Sequence, residues 1–580
     1  MQSQLIGVVL MYLLTLALAI PFGKYMANVF AGTPNWSDKL FSPLERFLFR
    51  ISRIDPNREM SCQQSMKAML ALNIVWFIWL VLCLMNQGWL PLNPDHNPSM
   101  PADQAFNTAI SFLVNCNLQH YSGETGVSYF TQSFALQFLH FVSAATGIAA
   151  AVLVFNSFKK ETSASLGNFY NYFVKSCTRI LLPVSIILAM VMLLHGMPMT
   201  FKGKDQVISL EGDTMMVSRG PVASMIPIKH LGTNGGGFFG ANSAHPLENP
   251  DYTTNMALSI SQVLIPLAMI FALGFYLKRR RLSWMIYGVM TIGFLMLLLP
   301  TIRAEMDGNP LVAQMGIHQP NGNMEGKEIR FGTPASGYFS IITTVISTGS
   351  VNSMHDSFMP LSGMNMLLGM MVNCFYGGCG VGFLNFYVFI ILAVFISGLM
   401  VGRTPEFMGR KVEAREMKIA MIVALLHPLL ILAGTAISSY LVAHDASMGA
   451  WALDAAGKPI RASGFLNNPG FHGFSEMLYE YTSSAANNGS GFEGLNDNNP
   501  FWNITTGIVM LLARFLPIIG PVAIAGSLSR KKYIPAGTGT LETDNSTFGL
   551  VVFAVIAIIA ALSFFPALAL GPIAEWFSLK

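Results

Sequence analysis

Long apolar stretches recur along the chain between shorter polar segments, and each is near the ~20 residues that a membrane-spanning helix needs. Ten stretches can be placed, near residues 5–26, 66–86, 132–156, 174–199, 255–277, 282–302, 361–402, 417–443, 501–527 and 547–570. The first has no Lys or Arg before Lys24 and no evident small-residue cleavage site. We therefore expect it to be retained and not removed as a signal peptide.

The stretch 361–402 differs from the others because it is long enough for two crossings and carries the glycine-rich run Tyr376–Gly382 in its middle. Two crossings would place the basic segment 403–418 on the outer side, against the usual charge distribution. We therefore expect one helix that is broken at membrane depth, where irregular backbone must be buried in protein or line a cavity. The alternative is an ordinary tight turn between two short helices.

Four similar loops stand between a short helix-like segment and a spanning one. They are loop 1 (Asn115-Cys116-Asn117-Leu118-Gln119), loop 2 (Thr233-Asn234-Gly235-Gly236-Gly237), loop 3 (Ser347-Thr348-Gly349-Ser350-Val351) and loop 4 (Asn487-Asn488-Gly489-Ser490-Gly491). The preceding segments, near 103–114, 221–231, 336–346 and 475–486, are too short to span a bilayer but long enough to re-enter it. Each would point its partly negative C-terminal end at the loop that follows.

One Gly- and Asn-rich loop is usually only a turn. Four at matching positions can close a ring of backbone carbonyls around one dehydrated cation, as potassium selectivity filters do. The candidate ligands, mainly through backbone oxygens, are Asn115, Cys116, Asn117, Gln119, Thr233, Asn234, Gly235, Ser347, Thr348, Gly349, Asn487, Asn488 and Gly489. The hydroxyls of Thr233, Ser347 and Thr348 are a second option. Gln119 either narrows the first quadrant of the ring or packs behind the loop.

The pattern predicts an all-α polytopic membrane protein with about ten transmembrane helices and four pseudo-repeated units of helix, pore helix, filter loop and helix around one central pore. The expected divisions are 1–65 for the first transmembrane helix and a cytoplasmic loop, 66–156 for repeat 1, 174–277 for repeat 2, 282–402 for repeat 3 with its broken second helix, 417–527 for repeat 4, and 528–580 for a cytoplasmic loop and the last helix.

Composition agrees with a bilayer setting. Of the 580 residues, 52% are hydrophobic and 11% are charged, whereas a soluble domain carries about 25% charged residues. Mean hydropathy is +0.50. The six cysteines show no paired framework or zinc spacing, so buried reduced thiols are expected.

Charge orients the chain. Of 34 Lys and Arg, 23 lie in the segments 24–67, 159–179, 278–281, 403–418 and 530–532. The loops 87–131, 200–254, 303–360 and 444–500 hold only nine, against 19 acidic residues. The basic set is predicted to be cytoplasmic, which puts all four filter-like loops and both termini outside. The acidic residues would either concentrate cations at an outer mouth or form an ordinary solvated surface.

Three basic residues lie at positions that matter for ion movement. Lys229, in the second short helix, either extends outward or neutralises a carboxylate. Arg514 lies inside an apolar span, where a functional role and pairing with a neighbouring carbonyl are both open. Arg403 begins the basic segment 403–418 and is a candidate for coupling to a partner.

Nucleotide chemistry is absent from the sequence. It contains no Gly-x-x-x-x-Gly-Lys-Ser/Thr loop and no Asp-Lys-Thr-Gly phosphorylation sequence. The chain therefore has no candidate catalytic site, and any ATP hydrolysis would belong to another polypeptide.

Several runs resemble the potassium-translocating A subunits of bacterial Kdp ATPases, over essentially the whole length. They are Phe106–Ala109, Gln119–Glu124, Gly232–Phe239 through Asn249-Pro250, Gly402–Glu406 and Asn487–Ser490. Cys116 departs from the family at a position where a Thr-like residue is expected. The resemblance implies the fold of the superfamily of potassium transporters. It also implies a bacterial inner-membrane complex with a P-type ATPase catalytic subunit, which would bind ATP and Mg²⁺, and two small membrane subunits.

The same resemblance implies that the glycine run is a gating loop, with Gly377, Gly378, Gly380 and Gly382 as its residues, above which potassium enters a path toward the pump subunit. The leading hypothesis is thus a non-hydrolytic, potassium-selective subunit of an ATP-driven uptake complex that contacts lipid and no nucleic acid. The alternatives are a self-sufficient passive or ion-coupled potassium transporter of the same type, and a secondary transporter for an organic solute. The latter predicts broken helices in both halves, and the sequence has one convincing break.

Overall fold

A computed structural model describes residues 2–159, 162–400, 402–444, 451–453, 459–462, 465–468, 470–535 and 542–579. Ten helices in these ranges are long and apolar enough to cross a membrane, which confirms the expected number. The ten are Gln4–Ala31, Cys62–Trp89, Thr131–Ser157, Phe169–Leu194, Tyr252–Tyr276, Arg280–Gln314, Val381–Met400, Ala414–His444, Pro500–Ser529 and Ser546–Ser578.

The individual elements are numbered in chain order. The α-helices are α1 (Gln2–Ala31), α2 (Trp36–Ser52), α3 (Cys62–Asn86), α4 (Ala102–Leu113), α5 (Gly123–Gly126), α6 (Gln137–Ser157), α7 (Phe169–Lys175), α8 (Leu182–Leu194), α9 (Val222–Leu231), α10 (Tyr252–Tyr276), α11 (Arg280–Asp307), α12 (Pro310–Gln314), α13 (Gly332–Ile346), α14 (Pro360–Val372), α15 (Val381–Met400), α16 (Ala414–His444), α17 (Gly470–Ala486), α18 (Pro500–Ser529), α19 (Ser546–Leu568) and α20 (Ala574–Ser578). Three antiparallel hairpins pair β1 (Asp205–Ile208) with β2 (Thr214–Val217), β3 (Glu406–Phe407) with β4 (Arg410–Lys411), and β5 (Trp451–Leu453) with β6 (Pro459–Ala462).

Polar caps fix where several spans begin. Ser61 and Gln64 form a capping box at the start of α3, and Asp251 and Thr254 form another at the start of α10. Asn499 accepts a hydrogen bond from the backbone of Trp502 and starts α18. Each cap satisfies amide groups that the first helical turn leaves without partners.

Four helix–short helix–loop–helix units make up most of the fold, as expected. The short helices are α4, α9, α13 and α17, and each packs against at least one of the spans that flank it in the chain. The spans that follow them also pack on the short helix of the next unit: α6 on α9, α10 on α13, α14 on α17, and α18 on α4. The last of these contacts returns from the fourth unit to the first, so the four units close into a ring.

The remaining elements lie outside this ring. Helix α1 packs along α10, and α19 packs against α11, α14 and α15. Helix α2 is amphipathic and lies within residues 1–65, where the sequence predicts a cytoplasmic loop after the first span.

The second span of the third unit is interrupted. Helix α14 ends at Val372 and α15 begins at Val381, and residues 373–380 between them form what we call the glycine loop. Gly382, expected in that loop, lies instead in the first turn of α15. Gly377 and Gly380 have φ angles of +63° and +77°, which glycine adopts without steric cost.

The glycine loop crosses the backbone of α6 at close range. A Cβ atom added at Gly147 would overlap the carbonyl oxygen of Cys379, and one added at Gly380 would overlap the carbonyl oxygen of Gly147. Both contacts require a residue without a side chain. The interruption is therefore packed against the centre of a neighbouring span.

We expect Gly147→Ala to destabilise the protein by about 1–3 kcal/mol, because the added methyl group forces two backbones apart. Gly288→Ala in α11 is the matched control, since nothing lies within 4 Å of a Cβ at that helical position. The measurement is the loss of the folded species in size-exclusion chromatography after heating the purified protein. Equal thermal midpoints for the two variants would show that the crossing is not tight.

Candidate functional site

The four short helices end in the same way. The first residue of each following loop, Asn115, Thr233, Ser347 or Asn487, has a left-handed backbone with φ between 50° and 64°. The amide of the second loop residue then donates to the carbonyl five residues earlier: Cys116 to Ser111 at 3.0 Å, and Asn234 to Lys229, Thr348 to Thr343 and Asn488 to Ser483 at 2.9 Å each. This left-handed termination is the Schellman pattern of helix ends. Four weakly similar sequences thus give one backbone geometry.

The third loop residue is also left-handed in every unit. Gly235, Gly349 and Gly489 have φ angles of 101°, 82° and 100°, and Asn117 has 59°. Each of the four loops therefore places a left-handed residue on either side of its second residue. This alternation turns successive peptide planes and lets short segments present several carbonyls to one side.

The loops contact one another in cyclic order. A Cβ atom on Gly235 of loop 2 would overlap the carbonyl oxygen of Thr348 in loop 3. In the same way, Gly349 of loop 3 faces Asn488 of loop 4, and Gly489 of loop 4 faces Cys116 of loop 1. Three of the four joints of the ring thus place a glycine against a carbonyl of the next loop.

The fourth joint, between loops 1 and 2, uses side chains. Asn115 Nδ2 donates to the carbonyls of Thr233 at 2.7 Å and Gly232 at 3.1 Å. Gln119 donates to the carbonyl of Gly237 at 3.0 Å and accepts from its amide at 2.8 Å. Gln119 therefore ties the first quadrant to the second.

The carbonyl of the second residue of every loop has no hydrogen-bond donor. Within the described ranges, no N–H or O–H group bonds to the carbonyl oxygens of the second loop residues Cys116, Asn234, Thr348 and Asn488. All four residues are fully buried. Buried carbonyls are nearly always paired, because an unpaired one loses the free energy of its hydration. At least one unsatisfied carbonyl in every loop makes the ring suited to a ligand that is itself positive.

The first quadrant differs from the other three. Asn117 stands where they have glycine, is 2% exposed, and has no hydrogen-bond partner for either side-chain atom among the described residues. Cys116 stands where they have Asn or Thr, and its thiol is buried. The ring is therefore fourfold in its backbone but not in its side chains.

Lys229 supports loop 2 from behind. Its ammonium group contacts the side chain of Asn242, donates to Ser243 at 3.0 Å, and pairs with Glu248 at 2.8 Å. Of the two roles open from sequence, neutralising a carboxylate is therefore the one that the structure shows. Glu248 also accepts from the amide of Phe239 at 2.9 Å, so the pair fixes the chain that leaves the loop.

The glycine loop lies directly beside the ring. Thr233 Oγ1 accepts from the amide of Cys379 at 2.9 Å, and Ser347 Oγ donates to Asn373 at 2.8 Å. Asn373 also donates to the carbonyl of Ala486, at the end of α17, at 3.3 Å. The hydroxyls of Thr233 and Ser347 thus join the ring to the glycine loop.

A cavity lies between the ring and the glycine loop. Its lining includes Asn115, Ser347, Asn487, Gly378 and Arg514. Arg514 donates to the carbonyl of Ser143 at 3.3 Å, so the pairing with a neighbouring carbonyl that the sequence left open is present.

The acidic residues that follow the loops have partners within the protein. Glu124 accepts from the amide of Gly240, and Asp251 caps α10 and pairs with His195. Asp356 pairs with His472, whose other ring nitrogen contacts Glu575. These acids hold the segments around the four loops together and are not simply a solvated surface.

A buried histidine joins the first and fourth units. His120 lies 3.4 Å from Glu480 and 3.8 Å from Asp497, and it hydrogen-bonds Asn503 at 2.7 Å. Burial alone would lower the pKa of His120, but the nearby carboxylates outweigh it and raise that pKa to about 9. The imidazolium offsets the carboxylates of the buried Glu480 and the partly exposed Asp497.

Arg403 lies away from the ring, beyond the end of α15. Its amide bonds the carbonyl of Gly398 at 2.9 Å and its side chain is exposed. Arg410, in the same basic segment, is buried and bonds the carbonyls of Ser157 and Lys159.

The matches to known proteins extend over nearly the whole chain. The family model of the potassium-transporting ATPase A subunit matches residues 9–577. The potassium-transporting ATPase potassium-binding subunit of Flavobacterium johnsoniae is 66% identical over 580 residues, covering 100% of both chains. The subunit of the same name from Geobacillus kaustophilus is 47% identical over 571 residues, covering 98% of both.

Among solved structures, the potassium transporter TrkH from Vibrio parahaemolyticus aligns with a TM-score of 0.49 and 14% identity, covering 90% of this chain and 98% of that one. The family model matches nearly every residue of the chain, and the two named subunits are 66% and 47% identical to it. The chain therefore belongs to the potassium-transporting ATPase A subunit family.

Proposed function

We propose that this chain is the potassium-selective binding and translocation subunit of an ATP-driven uptake complex in the bacterial inner membrane, and that the ring of loops 1–4 is its selectivity filter. The observation that carries the proposal is that in all four loops the second residue is buried and its carbonyl has no donor among the described residues. A dehydrated cation at the centre would satisfy all four at once.

The charges around the ring favour a cation. Helices α4, α9, α13 and α17 each end at the ring, so four partly negative C-terminal ends converge there. No residue of loops 1–4 is charged, and the ligands are neutral carbonyls. Neutral carbonyls can replace the loosely held water of potassium, and they bind weakly enough to release it again.

The side chains divide into ligands and supports. The backbone oxygens of residues 115–117, 233–235, 347–349 and 487–489 are the proposed ligands. Asn117 adds an unpaired amide that can reach the ion or its remaining water. The hydroxyls of Thr233 and Ser347 are better suited to positioning, since they bond the glycine loop.

The glycine loop would act as a gate. It lies against loops 2 and 3, and its glycines at 377 and 380 allow the backbone to pack where a side chain would not fit, while Gly378 lines the cavity. The positive charge of Arg514 in the same cavity opposes a cation that moves straight through. Both features support a filter that hands potassium to a partner and does not leak it across the membrane.

ATP hydrolysis would occur on a partner. The sequence carries no nucleotide-binding or phosphorylation motif, and the printed names of its relatives describe a potassium-binding subunit of a potassium-transporting ATPase. We infer a P-type ATPase catalytic subunit, carrying ATP and Mg²⁺, and two small membrane subunits. Arg403, exposed at the basic end of α15, is a candidate contact. Both termini of the chain are proposed to lie outside.

Gly349→Ala in the intact complex should weaken potassium uptake, because its methyl group would displace the carbonyl of Asn488 from the ring. We expect the apparent affinity for potassium to fall at least about tenfold, the effect of roughly 1.4 kcal/mol lost in ion binding. The measurement is rubidium or potassium uptake by cells at a series of external concentrations, normalised to the amount of protein in the membrane.

Gly316→Ala is the matched control for that variant. Gly316 has a φ of +80°, close to the +82° of Gly349, yet nothing lies within 4 Å of its Cβ position. The two substitutions share the backbone strain and differ only in the contact with the ring. Unchanged affinity in Gly349→Ala, or equal losses in both variants, would argue against the filter assignment.

The partner requirement has its own test. The complex purified from native membranes should hydrolyse ATP in response to potassium and not to sodium. The chain purified alone and placed in liposomes should give no potassium flux. Steady flux through the chain alone would favour the alternative of a self-sufficient channel.

A further inference from the structure

Helix α2, at residues Trp36–Ser52, is amphipathic and has three distinct faces. At about 100° per residue, six apolar side chains fall within one arc of about a third of the circumference. They are Trp36, Leu40, Leu44, Phe47, Leu48 and Ile51, and all are exposed, with Trp36 and Ile51 at 66%. An exposed apolar stripe of this size, on a helix at the periphery of the protein, needs an apolar environment.

The opposite face of α2 docks onto the protein. Arg179 is 4% exposed, bonds both carboxylate oxygens of Glu45 at 2.6 and 2.5 Å, and also pairs with Asp38. Phe49 is buried on the same face. These contacts fix the rotation of the helix, so the apolar stripe must point away from the protein.

A basic stripe flanks the apolar one. Lys39, Arg46 and Arg50 occupy the arc between the docked face and the apolar face, and all three are exposed. None of them forms an ion pair with a described residue. Protein interfaces tend to exclude Lys from their centre, whereas helices that lie in a membrane surface carry Lys and Arg beside an apolar face.

The position of α2 agrees with the membrane surface. Trp36 stacks on Tyr25 of α1 with ring centroids 5.9 Å apart, and Tyr25 lies six residues before the end of that helix. A helix rises about 1.5 Å per residue, so Tyr25 lies about 9 Å before the end of α1. The start of α2 therefore packs beside α1 at that level and not beyond its end. Tyr25 also bonds the carbonyl of Arg179 at 3.1 Å, ten residues after the start of the fourth span at Phe169.

We propose that α2 lies in the cytoplasmic surface of the membrane, with its apolar stripe among the acyl chains and Lys39, Arg46 and Arg50 bound to anionic lipid headgroups. The Arg179–Glu45–Asp38 cluster would hold this lipid-bound helix against the cytoplasmic ends of α1 and the fourth span. The site is separate from the ion path, so it stands or falls independently of the proposed filter.

Spin labels placed on the intact complex in lipid nanodiscs test the arrangement. Phe47→Cys labels the apolar stripe and Arg46→Cys labels the basic stripe, while Leu13→Cys, on the exposed side of α1, gives a lipid reference. We expect oxygen, but not a water-soluble nickel chelate, to relax the label at 47 as strongly as at 13. The label at 46 should respond to the nickel chelate.

The other outcomes overturn the proposal. Access of the nickel chelate to position 47 would place the stripe in water. Exclusion of both reagents would mean that another protein subunit covers it. Leu40→Cys, on the same stripe, repeats the measurement if the variant at 47 does not assemble.

Headgroup binding is tested by lipid composition. The label at 47 should lie deeper in nanodiscs that contain phosphatidylglycerol than in phosphatidylcholine alone, and Lys39→Gln/Arg46→Gln/Arg50→Gln should abolish that difference. Lys202→Gln/Lys204→Gln/Arg303→Gln, which removes three charges from outer segments, should retain it. Equal depth of the unmodified helix in both lipids would contradict binding to anionic headgroups.

Discussion

A buried carbonyl without a donor is the constraint on which the rest of this structure depends. Four of them lie in one ring, at Cys116, Asn234, Thr348 and Asn488, and each belongs to a residue that water does not reach. Their placement requires a left-handed residue on both sides. It also requires that the next loop approach without a side chain, which explains glycine at 235, 349 and 489. A cation at the centre would satisfy the set.

The ring is built by repetition, but its quadrants have separate tasks. The first quadrant carries Asn117 and Gln119, of which one has an unpaired amide and the other ties loops 1 and 2 together. The second depends on the Lys229–Glu248 pair, and the third on the interrupted span that follows it. The four loops therefore share one backbone geometry but are held in place by different contacts.

The local features of the fold were predictable from the sequence. Apolar length predicted the ten spans, and the recurrence of Gly- and Asn-rich loops indicated four units, because both signals are contained within a few residues. Helix α2 also has a signal in the sequence, because apolar residues recur at 36, 40, 44, 47 and 51 with a helical period. The positive charge of the segment predicts only its side of the membrane and not its secondary structure.

Contacts between distant residues were not predictable in this way. Gly235 meets Thr348, and Asn115 bonds Thr233, over separations of more than a hundred residues. The acidic residues near the loops suggested an electrostatic mouth, but Asp251, Asp356 and Glu248 each have a partner from another segment. Composition reports the charges of a surface, whereas only the fold reports which of them are paired.

Anomalous X-ray diffraction from the intact complex, with thallium in place of potassium, tests the central claim most directly. A thallium peak is expected inside the ring, in contact with the carbonyl oxygens of Cys116, Asn234, Thr348 and Asn488, and it should be displaced by excess potassium but not by excess sodium. A ring without a peak, in crystals where thallium binds elsewhere in the complex, would contradict the assignment of loops 1–4 as the selectivity filter.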